Sequence, residues 1–483
     1  MTERPTDRGT LAAELGLDPR SDRPVVCVMG LGFVGSAMAA AVAESRDAGG
    51  QPRFDVIGVD LPTDQGAERI AAIRGGRVPV PTTDERLAGA VRDARRRRNL
   101  VASDDERAYE LAAVTVVDIP LDVVLDGGTA TVPLDGFRAA MRTLGRRMRP
   151  GSLIMVETTV PPGTCVHVIV PELDRELAKR SLEPGAILLA HSYERVMPGE
   201  AYLDSVVNYW RSYAGHTEPA ARACEAFLSQ VVNVADYPLT RLASTTACEI
   251  GKVLENSYRA TTIALMEEWG RFAEAVGVDL FEVVRSIRVR PTHSNMRQPG
   301  FGVGGYCLTK DPLLAGIAAR ELYKRPDLEF PFSTAAVDVN RRMPLVSVEL
   351  LSELLGKSLD GRRVLLLGVS YRQDVGDTRY TPSETFVRDL RERGAEVVCH
   401  DPLVSFWPEL GQNVETELPP AESFDALVFA VPHRAYVELD LETWLDGARP
   451  AVLDANAVLS LSQRSRLLAL GCDVRSVGRG IEP

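Results

Sequence analysis

The chain has 483 residues, more than one hydrophobic core usually supports, so two or three domains are expected. Hydrophobic and charged contents of 45% and 25% are those of an ordinary globular protein, while a net charge of -12 argues against general binding to nucleic acid or anionic membranes. The seven cysteines are scattered, odd in number and form no CxxC pair, so they suggest neither a disulfide framework nor a zinc site, and reduced cytoplasmic thiols are the simplest reading.

Residues 1–23 are charged and lack the apolar stretch of a leader, so they read as an N-terminal extension, and no later segment has membrane-spanning length. From 24 to 241, apolar β-type runs recur at PVVCVMG (24–30), FDVIGVD (54–60), AAVTVVD (112–118), SLIMVETT (152–159) and AILLAHS (186–192), with helix-like segments between them. Continuous apolar strands alternating with helices predict a parallel sheet covered on both faces, the Rossmann-like arrangement. The first strand runs into Gly30-Leu31-Gly32-Phe33-Val34-Gly35 and then a helix, a turn whose glycines and helix-end amides suit a pyrophosphate. Asp60 ends the next strand, where a carboxylate accepts ribose hydroxyls and repels a 2′-phosphate, favouring NAD over NADP. The basic run RDARRRRN (92–99) reads as a solvated helix end.

From 242 to 345 the pattern is helical, led by a long segment interrupted only by Gly251 and Gly270, which mark where a connecting helix could break. Lys252 and Asn256 are four apart and share a face. Glu249, one turn earlier, suggests an exposed ion pair with Lys252; the alternative is a cation and an amide aimed at an oxyanion. Next comes PGFGVGGYCLTKDP (299–312), in which Gly300, Gly302, Gly304 and Gly305 permit close approach of backbone to a ligand beside Cys307. Asp311-Pro312 reads as the cap and first residue of a following helix, whose N-terminus together with Lys310 favours thiolate at Cys307. From 346 to 483 a second strand and helix series follows, and its GAEVVCHDPL echoes FDVIGVDLP in ending a strand on aspartate. The fold class is therefore α/β, with two Rossmann-like doubly wound lobes joined by a central helical domain that carries the thiol loop.

GLGFVG, ETTVPPGT (157–164), SYERVMPG (192–199), EIGKVLENSYRA (249–260), GVGGYCLTKD (302–311) and GVSYRQDVGDTR (368–379) occur in one order, and together they closely resemble the nucleotide-sugar 6-dehydrogenase family. That resemblance implies a four-electron oxidation of a sugar C6 alcohol to a carboxylate, with NAD as cofactor. Cys307 would hold the aldehyde as a thiohemiacetal and then a thioester. Lys252 and Asn256 would stabilise the C6 oxygen, Asp311 would position or deprotonate water, and Glu194 would assist thioester hydrolysis. The resemblance further implies cofactor contacts from Gly30, Gly32, Phe33, Val34, Gly35, Asp60, Glu157, Thr159 and Arg379. Substrate contacts would come from Arg290, Gly304 and Arg372, with Arg290 often supplied across a dimer interface. It suggests a homodimer or higher homo-oligomer, a nucleotide-sugar partner, no metal, and a product used in polysaccharide biosynthesis.

Two departures stand out. Val117-Asp118-Ile119-Pro120 replaces the family's VPTP, and DANA (454–457) places Asn456 where an arginine is common. SYERVMPG is closer to the UDP-N-acetylhexosamine branch than to the NPEFLREG form of UDP-glucose enzymes, so a UDP-linked hexose or N-acetylhexosamine is expected. The alternatives are a two-electron β-hydroxyacid-type dehydrogenase, which would not need Cys307, and a non-catalytic NAD- or nucleotide-sugar-binding protein.

Overall fold

Apolar runs of the first series become β1 (Val25–Met29), β2 (Asp55–Val59), β3 (Leu100–Ser103) and β4 (Ala112–Val117) of a computed structural model that describes residues 7–126 and 128–480. Residues 1–6 of the expected extension and 481–483 of the C-terminal domain lie outside the described residues. The rest of the extension is no loose tail: Asp7 caps a helix at Arg8–Glu14 by accepting from the Thr10 amide, and Leu11, Leu15 and Leu17 are buried. A short antiparallel hairpin, β5 (Val124–Asp126) and β6 (Thr129–Thr131), follows β4. Then come β7 (Leu153–Val156), β8 (Leu188–Tyr193), β9 (Ser212–Gly215) and β10 (Thr240–Arg241).

Eight of these strands form one sheet in the order β10-β9-β8-β7-β4-β1-β2-β3, parallel throughout except where β9 runs against β8. Every residue of β1 and β2 is buried, as strands covered on both faces require. The order reverses at β1, so the crevice between the carboxyl ends of β1 and β4 is the position at which open α/β sheets bind ligands. Sequence reading missed β3 because its four residues follow directly on the arginine run; that run ends the helix Glu85–Arg97 with exposed side chains, as expected.

The second series gives β11 (Arg363–Leu367), β12 (Glu396–His400), a minor antiparallel pair β13 (Phe406–Trp407) and β14 (Gln412–Asn413), then β15 (Ala426–Phe429), β16 (Ala451–Asp454) and β17 (Val474–Ser476). Its main sheet is wholly parallel, in the order β12-β11-β15-β16-β17. Between the two series lies the long helix Thr245–Ala275, 31 residues and about 46 Å without interruption. Gly251 does not break it; a Cβ there would come 3.3 Å from the Tyr193 ring, so the glycine serves close packing.

The described residues compact into two units, one running through Val253 and including Leu314–Glu329, the other comprising Leu254–Leu313 and the chain from Phe330 onward. Within the first, the segment after the thiol loop is held by Tyr323, which stacks edge-on against His167 and occupies the space where Gly163 would carry a side chain. Within the second, the helix Pro331–Leu354 packs on helix Pro382–Glu392. Among the described residues no helix is long and apolar enough to cross a membrane.

Candidate active site

At the end of β1 the glycine turn is built as its spacing predicts. Gly30 has φ +94°, and a Cβ on it would lie 2.7 Å from the Asp118 carbonyl oxygen; a Cβ on Gly35 would lie 1.9 Å from the Gly30 carbonyl oxygen. Neither position accepts a side chain. Gly32, by contrast, faces open space and caps the helix Phe33–Glu44 without any side-chain acceptor on its first amides. Open amides at a helix start, with room for an anion beside them, fit a dinucleotide pyrophosphate. Asp60 receives the Leu31 and Leu61 amides, one on each oxygen at 2.9 Å, with Arg69 at 3.4 Å. Its position at the carboxyl end of β2 is that of the ribose-binding acid.

Four further ionisable groups gather along the same edge of the first sheet. Glu157 follows β7, is almost wholly buried, and pairs with buried Arg211 at 2.5 Å. Glu194 follows β8 and receives Lys252 Nζ at 3.2 Å; the same ammonium donates to the Glu194 carbonyl oxygen at 2.7 Å and faces the Tyr193 ring at 5.8 Å. Lys252 therefore does not pair with Glu249, the exposed ion pair that spacing suggested. Glu249 is buried and accepts the Gly163 and Cys165 amides at 2.5 and 2.8 Å, tying the PPGT turn to the long helix. Burial pushes its carboxyl up to about 7, against the pull of those amides.

In the second unit Asp311 is the centre of a compact group. Asn256 Nδ2 donates to one of its oxygens at 2.7 Å, and Lys310 Nζ lies 2.8 Å from the other while facing the Tyr306 ring at 4.3 Å. Asp311, Asn256 and Lys310 are all buried. The helix-cap reading of Asp311 is corrected: residues 311–313 form a 3₁₀ turn, the α-helix starts at Leu314, and the carboxylate is held by side chains. Cys307 is the one exposed cysteine of the seven. Its carbonyl accepts the Asp311 amide at 2.9 Å, which closes the turn Cys307-Leu308-Thr309-Lys310 onto Asp311.

The glycines of that loop admit protein. A Cβ on Gly304 would meet Tyr371 Cβ, Pro382 Cδ and the Tyr380 carbonyl oxygen at 2.7–2.8 Å, and one on Gly305 the Tyr371 ring at 2.8 Å. Burial and the Asp377 charge push the Tyr371 hydroxyl up to about 12, and Cys307 contributes in the same direction, so the tyrosine and the thiol share one electrostatic environment. Arg379 pairs with Asp377 at 2.7 Å, while Arg290 and Arg372 are exposed. Thr159 is half-buried beyond β7. Asn456, at the departure in DANA, accepts the Phe301 amide at 3.4 Å and donates to the Ala430 carbonyl at 2.9 Å, stapling the thiol loop to the second sheet.

The echo of FDVIGVDLP in the second lobe has a different meaning. Asp401 is fully buried and receives the Val369, Ser370 and Leu403 amides, the Ser370 hydroxyl and His433 Nε2. Burial alone would raise its pKa, but these donors hold it below the usual carboxylate range. Asp60 keeps a partly accessible carboxylate, whereas Asp401 has become an internal brace.

A parallel sheet with a glycine turn, an acidic strand end and open helix amides defines a dinucleotide-dependent oxidoreductase. Comparison with known proteins narrows this. Models of the UDP-glucose/GDP-mannose dehydrogenase family match its NAD binding domain at residues 25–231, its central domain at 246–342 and its UDP binding domain at 365–460. A UDP-N-acetyl-D-mannosamine dehydrogenase of Pyrococcus horikoshii is 30% identical over 425 residues, 86% of this chain and 91% of its own. A solved UDP-D-ManNAc dehydrogenase from the same organism superposes with TM-score 0.78 at 27% identity, covering 94% of this chain and 99% of that one. A UDP-glucose dehydrogenase from Pyrobaculum islandicum gives 0.75, also at 27%, over 92% and 96%. The chain belongs to the UDP-glucose/GDP-mannose dehydrogenase family, and is an NAD-dependent nucleotide-sugar dehydrogenase.

Sequence reading anticipated the glycine turn and the acid that ends β2, and it placed Lys252 and Asn256 on one helix. It gave no role to Arg211, Tyr371 or Asp118, because each acquires its neighbours through sheet register or loop docking, to which local pattern is blind.

Proposed function

We propose that this enzyme oxidises the C6 alcohol of a UDP-linked hexose or N-acetylhexosamine to the uronic acid through a covalent adduct on Cys307. The observation that carries the reading is the exposure of this one thiol beside a buried Asn256–Asp311–Lys310 group. A free aldehyde hydrates and escapes; a thiolate that adds to its carbonyl carbon retains it and leaves a C–H bond for the second oxidation. Bound NAD+ supplies the two-electron acceptor, one molecule for each oxidation. Gly30, Gly32, Phe33, Val34, Gly35 and Asp60 hold it, with Glu157, Thr159 and Arg379 as further contacts.

Lys252 and Asn256 stabilise negative charge on the C6 oxygen, and their spacing on an unbroken helix keeps both on one face. With both Asp311 oxygens engaged, this carboxylate orients Asn256 and Lys310, and water attack on the thioester falls to Glu194, which is held by Lys252 at 3.2 Å. The three relatives compared above are named for UDP-sugars, and the two arginines that suit a diphosphate, Arg290 and Arg372, are exposed. The domains are assigned as 24–241, 242–345 and 346–483, the location is cytoplasmic, and the uronic acid product suits polysaccharide biosynthesis.

The exposed face of the long helix supports a homodimer. Leu254, Tyr258, Leu265, Trp269, Phe272 and Val276 are spaced by three, four or seven residues, forming one apolar stripe, and each is at least 45% exposed. A second copy is the partner that covers such a stripe while bringing Arg290 to a neighbouring site.

The test is the stoichiometry of NADH formed per UDP-sugar consumed, across UDP-glucose, UDP-N-acetylglucosamine and UDP-N-acetylmannosamine, with the product identified by mass. Two NADH and a uronic acid are expected, and Cys307→Ser should abolish acid formation while NAD still binds. One NADH per sugar, or unimpaired acid formation by the serine variant, would refute the covalent mechanism.

A further inference from the structure

Where the family reads VPTP, this chain carries a carboxylic acid at the carboxyl end of β4. Val117 pairs with Val156 in the last register position of β4 and β7, and the Glu157 amide donates to the Val117 carbonyl at 3.1 Å. Asp118 and Glu157 therefore leave adjacent strands side by side, about 5 Å apart along the hydrogen-bonding direction. On the next pair of strands Tyr193 faces Ser212, which sets Glu194 beside Arg211.

Five groups thus share one edge. Three are acids, Asp118, Glu157 and Glu194, and two are cations, Arg211 and Lys252. His191 on β8 is buried and neutral, its pKa pushed down to about 3 by that burial, and the glycine turn brings no charge. Arg211 is paired with Glu157 and Lys252 with Glu194, and neither donates a hydrogen bond to Asp118. Both Asp118 oxygens are occluded from solvent and have no hydrogen-bond donor. A full negative charge so placed is costly, and a retained proton removes the cost.

We propose that Asp118 and Glu157 share one proton at this edge, and that Asp118 releases it when the oxidised dinucleotide binds on the glycine turn. Burial first, then the charges of Glu157 and Glu194, raise the Asp118 carboxyl well above its ordinary range, with Arg211 opposing. Glu157 is raised by the same burial and restrained by Arg211. Asp118 also walls the turn itself: its carbonyl oxygen would lie 2.7 Å from a Cβ on Gly30 and its own Cβ 3.2 Å from one on Gly35. The oxidised nicotinamide ring carries a positive charge and the reduced ring none. A cation arriving at this edge supplies the counter-ion that Asp118 lacks, so Asp118 ionises and its proton passes to solvent. After reduction the charge is gone, Asp118 takes a proton back, and the reduced form loses that attraction. Asp118 would thus discriminate between the two redox forms of a cofactor that must be exchanged between two oxidations. The inference rests on NAD binding at the glycine turn.

Calorimetric titration of the full-length protein with NAD+ and with NADH, each in two buffers of different ionisation enthalpy, measures the protons released on binding. NAD+ should release about one proton per site at neutral pH and NADH close to none, and NAD+ affinity should rise by up to about tenfold per pH unit across the range in which that proton is released. Asp118→Asn should abolish both effects while still binding NAD+. In the infrared spectrum of the ligand-free protein, a protonated-carboxyl C=O band should be present at neutral pH and lost in that variant. Equal proton release by the two cofactor forms in the unaltered protein would overturn the proposal, and so would release that persists in Asp118→Asn. Absence of any binding heat or cofactor fluorescence change would overturn the cofactor site and the proposal together, so the two failures are distinguishable.

Discussion

Replacing Glu249 by glutamine tests whether a buried acid controls the turn at residues 161–165. The carboxyl accepts the Gly163 and Cys165 amides and is pushed up to about 7 from an unfolded value of 4.5, mainly by burial. Between these values the folded protein binds more protons than the unfolded chain, so stability falls as pH rises through the window. The gap of about 2.5 units corresponds to about 3 kcal/mol. Above the window both states are ionised and the burial penalty is fully present. Hydrogen exchange of the Gly163 and Cys165 amides, corrected for intrinsic rates, reads this locally in a multidomain chain that need not unfold in one step. From about pH 5 to about pH 8, protection should drop by roughly a hundredfold in the unaltered protein and stay nearly constant in Glu249→Gln. Equal pH dependence in the two proteins would refute the assignment of the penalty to Glu249.

Other expectations follow from particular contacts. Gly304→Ala should destabilise the thiol loop by about 1–3 kcal/mol, read by the denaturation midpoint of the second unit, because the new Cβ meets backbone at Tyr380 as well as the Tyr371 side chain. Asn456→Ala removes the acceptor for the Phe301 amide and the donor to Ala430, and should cost about 1–2 kcal/mol by the same measurement. Trp269→Asp with Leu254→Asp should convert the protein to monomers in sedimentation, and an unchanged oligomer would remove the helix stripe as the interface. Lys252→Met should reduce acid formation by at least about a hundredfold, with the fold intact by circular dichroism; full activity would exclude its role at the C6 oxygen.

Much of this protein is set by local pattern. Uninterrupted apolar runs specify strands buried on both faces, and the first series yields a parallel sheet because each run is followed by a helix that must cross over. The glycine turn is equally local: Gly30 needs a positive φ and Gly35 needs no side chain, and both demands arise within six residues. Lys252 and Asn256 are placed by helix periodicity, and Cys307 is marked by its glycine-rich setting.

Tertiary structure alone decided which charges meet. Asp60 and Asp401 end similar strands, yet one stays partly accessible and the other is saturated by five donors. Glu249 leaves Lys252 for two backbone amides 84 and 86 residues away, and Lys252 turns to Glu194. The glycines at 304 and 305 make room for Tyr371, which lies more than sixty residues further along the chain. Sequence periodicity determines which face a side chain occupies, because it follows the 2-residue and 3.6-residue repeats of the backbone. What stands on the opposite face depends on sheet order, register and loop docking, and those contacts join residues too distant in the chain for any local pattern to record.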